Sequence, residues 1–208
     1  MFDLTKQELK IFKKLTTPIK IQDFLDSVPV NWEKKGETYM SPRRALQAQK
    51  MHCFEGALFA AVALWLNGEE PLVMDFKNKG DDDHVVALYR RNGYWGAISK
   101  TNHASVRFRD PVYKTIRELA LSYFHEYFRE RDGKKTLVSF SSKPFDLRVF
   151  GTGWITTPED LDAIAEAVDV APHTMIYPKK NARFIRTADA MEQKAGRLIE
   201  WKKSDPRT

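Results

Sequence analysis

Cys53-Phe54-Glu55-Gly56-Ala57-Leu58-Phe59-Ala60-Ala61-Val62-Ala63-Leu64-Trp65-Leu66 carries a thiol at its head and almost nothing polar behind it. Apolar residues on every side of the helical wheel describe a helix that is buried all round, and Asn67-Gly68 supplies its stop. The run is too short to span a bilayer. A thiol in the first turn of such a helix meets unpaired backbone N–H groups and the positive end of the macrodipole, and both favour the thiolate. Cys53 is therefore a candidate nucleophile, although a free cysteine more often packs as a small hydrophobe.

Downstream, Gly80-Asp81-Asp82-Asp83-His84-Val85-Val86-Ala87-Leu88-Tyr89 places a histidine at the start of an apolar strand, where it can serve as the base of a Cys-His pair. Asn92-Gly93 then separates this strand from Tyr94 to Ser99, a strong short-range hairpin signal. With Asn92 and Gly93 as the two turn residues, Arg91 faces Tyr94, Val86 faces Ser99 and His84 faces Thr101. His84 thus shares a face with Thr101 opposite and Ser99 on the diagonal, while Asn102 points away unless a bulge shifts the register.

Working outward, Ile11, Phe12 and Leu15, then Ile21, Phe24, Leu25 and Val28 after Pro18, give two short amphipathic helices. Ser41-Pro42 opens another helix, to about Gln49, and Pro71 to Phe76 reads as a strand. Asp110-Pro111 marks a turn, and the Ile116 to Phe128 pattern predicts a core helix with an aromatic stripe. Leu137 to Phe140, Phe145 to Val149 and Thr174 to Tyr177 are expected strands. Thr157-Pro158 should introduce a helix through about Val168.

The 208 residues, 42% hydrophobic and 30% charged, suffice for one core and one domain over 1–208. One cysteine excludes an internal disulfide and a cysteine-based zinc site, and neither metal nor cofactor is expected. With no basic-then-apolar leader at Met1-Phe2-Asp3, the expectation is a cytoplasmic chain without membrane association. Net charge is +6, and residues 179–208 hold nine basic against four acidic residues. The stretch 178–208 is expected to be a basic helix and tail. No nucleic-acid signature accompanies it, so a solvated face is the preferred reading over nucleic-acid binding.

A cysteine heading a buried helix, a strand, a histidine opening the next strand and a tryptophan strand after it together resemble the transglutaminase-like superfamily, which shares the papain-type core. The resemblance covers about residues 41–102. It rests on Cys53-Phe54-Glu55-Gly56-Ala57, His84-Val85-Val86-Ala87-Leu88-Tyr89 and Gly93-Tyr94-Trp95-Gly96-Ala97-Ile98-Ser99. It implies an α+β fold with the cysteine helix packed on an antiparallel sheet and further helices and strands towards the C-terminus. It also implies Cys53 as nucleophile and His84 as base, in a hydrolase or acyltransferase acting on a peptide, isopeptide or related amide. The family ends the tryptophan strand on an aspartate; here Ser99 stands in that place, with Asn102 as an alternative amide orienter.

The Cys53 backbone N–H is one expected oxyanion donor, and Gln47, six residues earlier, is a possible second. His52, on a helix, would project about a hundred degrees from Cys53 and is expected to flank or cap. Glu55 should complement the helix dipole. Asp81-Asp82-Asp83 lacks the spacing of a calcium loop and reads as a solvated loop. His103, His125 and His173 are expected at the surface or in packing. The missing aspartate keeps a second class open, a catalytically inactive binding module of the same fold.

Overall fold

The computed structural model describes residues 2–33 and 36–199. Its frame is one antiparallel sheet of seven strands with helices on its faces, an α+β architecture. Four helices come first: α1 (Lys6–Phe12), α2 (Pro18–Ser27), α3 (Pro42–Ala48) and α4 (Cys53–Leu66). β1 (Leu72–Asn78), β2 (His84–Arg91), β3 (Tyr94–Ile98) and β4 (Arg109–Tyr113) follow, then α5 (Ile116–Leu121), β5 (Leu137–Ser141) and β6 (Phe145–Asp146). α6 (Asp162–Asp169), β7 (His173–Met175) and α7 (Ala190–Gly196) complete the chain. The spatial order is β4-β3-β2-β1-β5-β7, with β6 also pairing with β1.

The central strands are apolar along almost their whole length because both faces are covered. Val73, Val85, Ala87, Tyr89 and Ile98 pack beneath α4, whereas Met74, Val86, Leu88 and Ala97 face Leu119, Tyr123 and Leu137. That is the period of two in a pleated strand, serving two cores at once. The hairpin has the expected register, from Arg91 opposite Tyr94 to Ala87 opposite Ile98. Asn92 and Gly93 both adopt positive φ, as the tight turn requires.

The cysteine helix meets the sheet unusually closely. A Cβ on Gly56 would lie 2.3 Å from the Lys100 Cβ, so only glycine admits the chain just past β3. Lys100 is buried there and donates to the carbonyls of Leu25 and Val28, satisfying the C-terminal end of α2.

Four expected elements are corrected. Asp110-Pro111 is not a turn but part of β4, where an edge strand tolerates a residue without an N–H. The helix from Ile116 ends at Leu121, because the Ser122 hydroxyl bonds back to the Leu119 carbonyl and the chain tightens into three-residue turns through Glu126. The segment from Phe145 pairs for only two residues before a 3₁₀ turn at Leu147–Phe150. The helix after Thr157-Pro158 begins only at Asp162, since the Thr157 carbonyl is held by Ser41 and the Asp160 carboxylate by the Tyr39 N–H and Arg44. Of the basic C-terminal stretch, Lys179–Phe184 is a 3₁₀ segment and α7 spans one short helix, while residues 200–208 lie outside the described residues.

Candidate active site

α4 delivers Cys53, half-buried, at its first position, and β2 delivers His84 at its own first position. The two elements meet past the end of the strand, where the Cys53 Sγ lies 3.9 Å from the Asp83 carbonyl oxygen. Both side chains line a cleft of about 950 Å³, together with His52, Asn102, His103 and Tyr127.

The His84 Nε2 lies 2.7 Å from the Ser99 Oγ, the diagonal partner on its face. That leaves Nδ1 to exchange a proton with the thiol. Ser99 is itself clamped: its N–H donates to the Gln22 Oε1 at 3.0 Å, and the Gln22 Nε2 donates to its carbonyl at 2.9 Å. This pair of bonds from one side-chain amide to the Ser99 backbone fixes the end of β3 against α2. Asn102 faces the same cleft, but the imidazole partner is Ser99.

His52 precedes the helix as its N-cap, and its Nδ1 accepts from the Phe54 N–H at 3.3 Å. Its Nε2 donates to the Thr38 carbonyl at 2.7 Å and sits 3.5 Å from Glu55 and 3.7 Å from Glu33. Its ring also stands close enough to lower the Cys53 thiol, an effect the capping expectation did not include. With Nε2 committed as a donor, a proton leaving the thiol for His52 arrives at Nδ1 and displaces the long cap bond. Glu55, fully buried, completes the capping box by accepting from the His52 N–H at 2.9 Å. It also accepts from the Thr38 hydroxyl at 3.0 Å and the Met40 N–H at 3.2 Å. The expected dipole partner is thus also the anchor of the 38–40 segment.

Burial pushes the Cys53 thiol up, but hydrogen bonds and charge from His52 and His84 outweigh it and hold the thiol at about 5. Burial likewise pushes His52 down, and the Cys53 thiolate, Glu55 and the Thr38 carbonyl hold it up at about 9. Between these limits the favoured state is a thiolate beside an imidazolium, and the two values belong to the coupled pair.

Gln47 is exposed on α3 and is absent from the cleft lining, so it is removed as an oxyanion donor. The short α3 turns it outward when Ala45 packs inward. A hydroxyl takes up the role of candidate instead. The Tyr127 OH is buried, has no hydrogen-bond partner among the described residues and belongs to a ring 6.0 Å from the His84 ring. Burial and the nearby Cys53 charge push its pKa well above the ordinary tyrosine value, so it remains a donor.

Beyond the thiol, Asp75, Asp83 and Asp169 bring carboxylate oxygens within 4.8 Å of one another. The Lys77 ammonium already sits among them, 3.2 Å from Asp75 and 2.9 Å from Asp83 and paired with Asp169. One ammonium thus occupies the centre of three carboxylates. His103 is half-buried on the cleft wall, His173 stands 3.5 Å from Asp75, and His125 is exposed.

Among the described residues, no helix is long and apolar enough to cross a membrane. The site and fold define an α+β chain with one thiol held between two imidazoles. Comparison with protein-family models finds no match, and comparison with curated protein sequences finds none either.

Proposed function

We propose that this chain is a cysteine-dependent hydrolase or acyltransferase of transglutaminase-like, papain-type architecture, acting on an amide through an acyl-enzyme. The observation that carries the reading is geometric: Cys53 opens α4 directly after His52 and lines one cleft with His84, whose Nε2 is held by Ser99, and the two imidazoles lower the thiol to about 5. The Cys53 thiolate attacks the amide carbonyl carbon, forming a C–S bond, and negative charge moves to the oxygen. The Cys53 N–H and the Tyr127 hydroxyl supply hydrogen bonds to that oxygen. Collapse breaks the C–N bond while an imidazolium gives its proton to the departing amine. Water or another amine, losing a proton to the imidazole, then attacks the thioester and returns the thiol.

The orienting group on His84 is a neutral hydroxyl, so Ser99 stabilises an imidazolium less than an aspartate would. The carboxylates lie instead beside His52, at Glu55 and Glu33. Two imidazoles share the charge that one carboxylate-backed imidazole carries in the family pattern.

The test is the pH dependence of Cys53 alkylation by iodoacetamide, read by mass spectrometry. The native chain should react as a thiolate from about pH 5 upward. His84→Ala and His52→Ala should each move the midpoint towards the free-thiol value of about 8.5. A midpoint near that value in the native chain, unmoved by either substitution, would refute the nucleophile and leave the second reading. That reading, a binding module without catalysis, draws its support from Ser99 standing where the family carries a carboxylate.

A further inference from the structure

The cleft is acidic out of proportion to the chain. Ten of its lining residues are aspartate or glutamate, against Lys100 and the three histidines His52, His84 and His103, although the net charge of the whole chain is +6. Lys100 is buried and directs its ammonium to the carbonyls of Leu25 and Val28. The carboxylates come from separate segments: Glu33 and Glu37 after α2, Asp81 and Asp82 between β1 and β2, and Asp162 and Glu166 one turn apart on α6. Among the described residues, none of Asp81, Asp82, Asp162 and Glu166 is ion-paired with lysine or arginine.

This rim works against the nucleophile, because nearby negative charge disfavours a thiolate and the two histidines must overcome it. The chemistry of Cys53 therefore gives no reason for it. A second, independent feature points inward. Asp75, only 2% exposed, lines the same cavity with an Oδ2 that takes no hydrogen bond among the described residues, although Lys77 and His173 stand 3.2 and 3.5 Å away. Like charges gathered in a concave, low-dielectric setting produce a potential of several kT that draws in cations and repels anions.

We infer that the substrate of this cleft is a cationic peptide, with lysine or arginine flanking the amide that Cys53 attacks. The inference rests on the reading of Cys53 as nucleophile and adds the chemistry of the chain it acts on. Carboxylates on three segments of one cleft of about 950 Å³ suit a ligand with several positive charges better than a single amine, which would need one pole.

Cys53 is the only cysteine, so its modification reports on the cleft without interference. The full chain is treated at low salt with a trimethylammonium-ethyl and a sulfonato-ethyl methanethiosulfonate; in each case the thiolate attacks the reagent sulfur, a disulfide forms and methanesulfinate leaves. Rates are divided by those of free glutathione. The cationic reagent should win by about tenfold or more, and the preference should collapse in high salt. Hexalysine should protect Cys53 from neutral iodoacetamide in the same salt-dependent way, hexaglutamate should not, and the double variant Asp162→Asn, Glu166→Gln should weaken the protection. No preference for the cationic reagent, or equal protection by both peptides, would overturn the inference. The neutral reagent separates the two readings. Fast alkylation near pH 6 without charge preference keeps the nucleophile and sinks the cationic substrate; charge preference at an ordinary thiol sinks the nucleophile and leaves a cation-binding cleft.

Discussion

Cys53 becomes a thiolate inside an acidic cavity because His52 and His84 flank it, and His52 is held up first by that thiolate, then by Glu55 and the Thr38 carbonyl, with Glu33 3.7 Å from its Nε2. Removing carboxylate charge beside His52 should lower the upper limit of the ion-pair window. In Glu33→Gln that limit, about 9 in the native chain, should fall by a few tenths of a unit, while the thiol midpoint, at a pH where His52 stays protonated, should not rise above about 5, as read by pH-dependent alkylation. An unchanged profile would mean that Glu33 contributes nothing to His52. Tyr127 makes a different prediction. Its hydroxyl is buried without a partner, so Tyr127→Phe should unfold at the same or higher temperature, by up to about 1 kcal/mol, while acyl transfer slows. Lower stability would show instead that the hydroxyl is satisfied. The positions of Cys53 and His84 were legible in the sequence because each opens an element of strong apolar pattern. The role of His52 was not, although His52-Phe54-Glu55 carries a signal: a capping residue followed at the third helical position by glutamate is a capping box, and it brings that carboxylate back to the histidine. Tyr127 was hidden because its position was read as one more ring on a core helix.

At the level of elements, two contacts hold the start of α4 and the end of β3 in place. Gly56 lets α4 lie against the chain after β3, and Gly56→Ala sets a Cβ 2.3 Å from a buried side-chain stem. Alanine gains about 1 kcal/mol of helix propensity, yet relieving this overlap costs about 1–3 kcal/mol or more, so urea denaturation should give a net loss. A net gain would mean that helix and strand separate freely. The other contact is Gln22 on Ser99, which closes a long-range junction between residues 77 positions apart. The hairpin register was readable because Asn-Gly fixes the turn and a period of two does the rest. The Gln22 clamp was not, since nothing local in α2 marks a polar residue as the partner of a distant strand end. The Pro111 strand was missed for a related reason. A proline reads as punctuation unless the strand is known to lie at an edge, and edge position is a property of the assembled sheet.

Across the whole molecule, the acidic side of the cleft was the least legible feature, because its carboxylates are scattered from Glu33 to Asp169 and only the fold gathers them. Asp75 shows what that gathering costs. Burial raises its carboxyl from 3.8 to about 6, despite Lys77 beside it. A folded-state pKa above the unfolded value means that the folded chain holds this proton more tightly. The resulting stability is complete below about pH 4 and is lost as pH rises through about 6. At neutral pH the ionised carboxylate is therefore a burden on the fold, whereas an amide of the same shape carries none. Asp75→Asn should accordingly melt above the native chain at about pH 8, by an amount worth at most roughly 3 kcal/mol, and should match it near pH 4. Lys77 keeps Asp83 and Asp169 in the variant and is not stranded. A variant that melts lower at about pH 8 would show that the Asp75–Lys77 attraction exceeds the cost of burial. The predicted gain would instead identify Asp75 as a charge the fold carries at the expense of its own stability, at a buried point of the cleft wall where Lys77 stands 3.2 Å away and offsets only part of the burial.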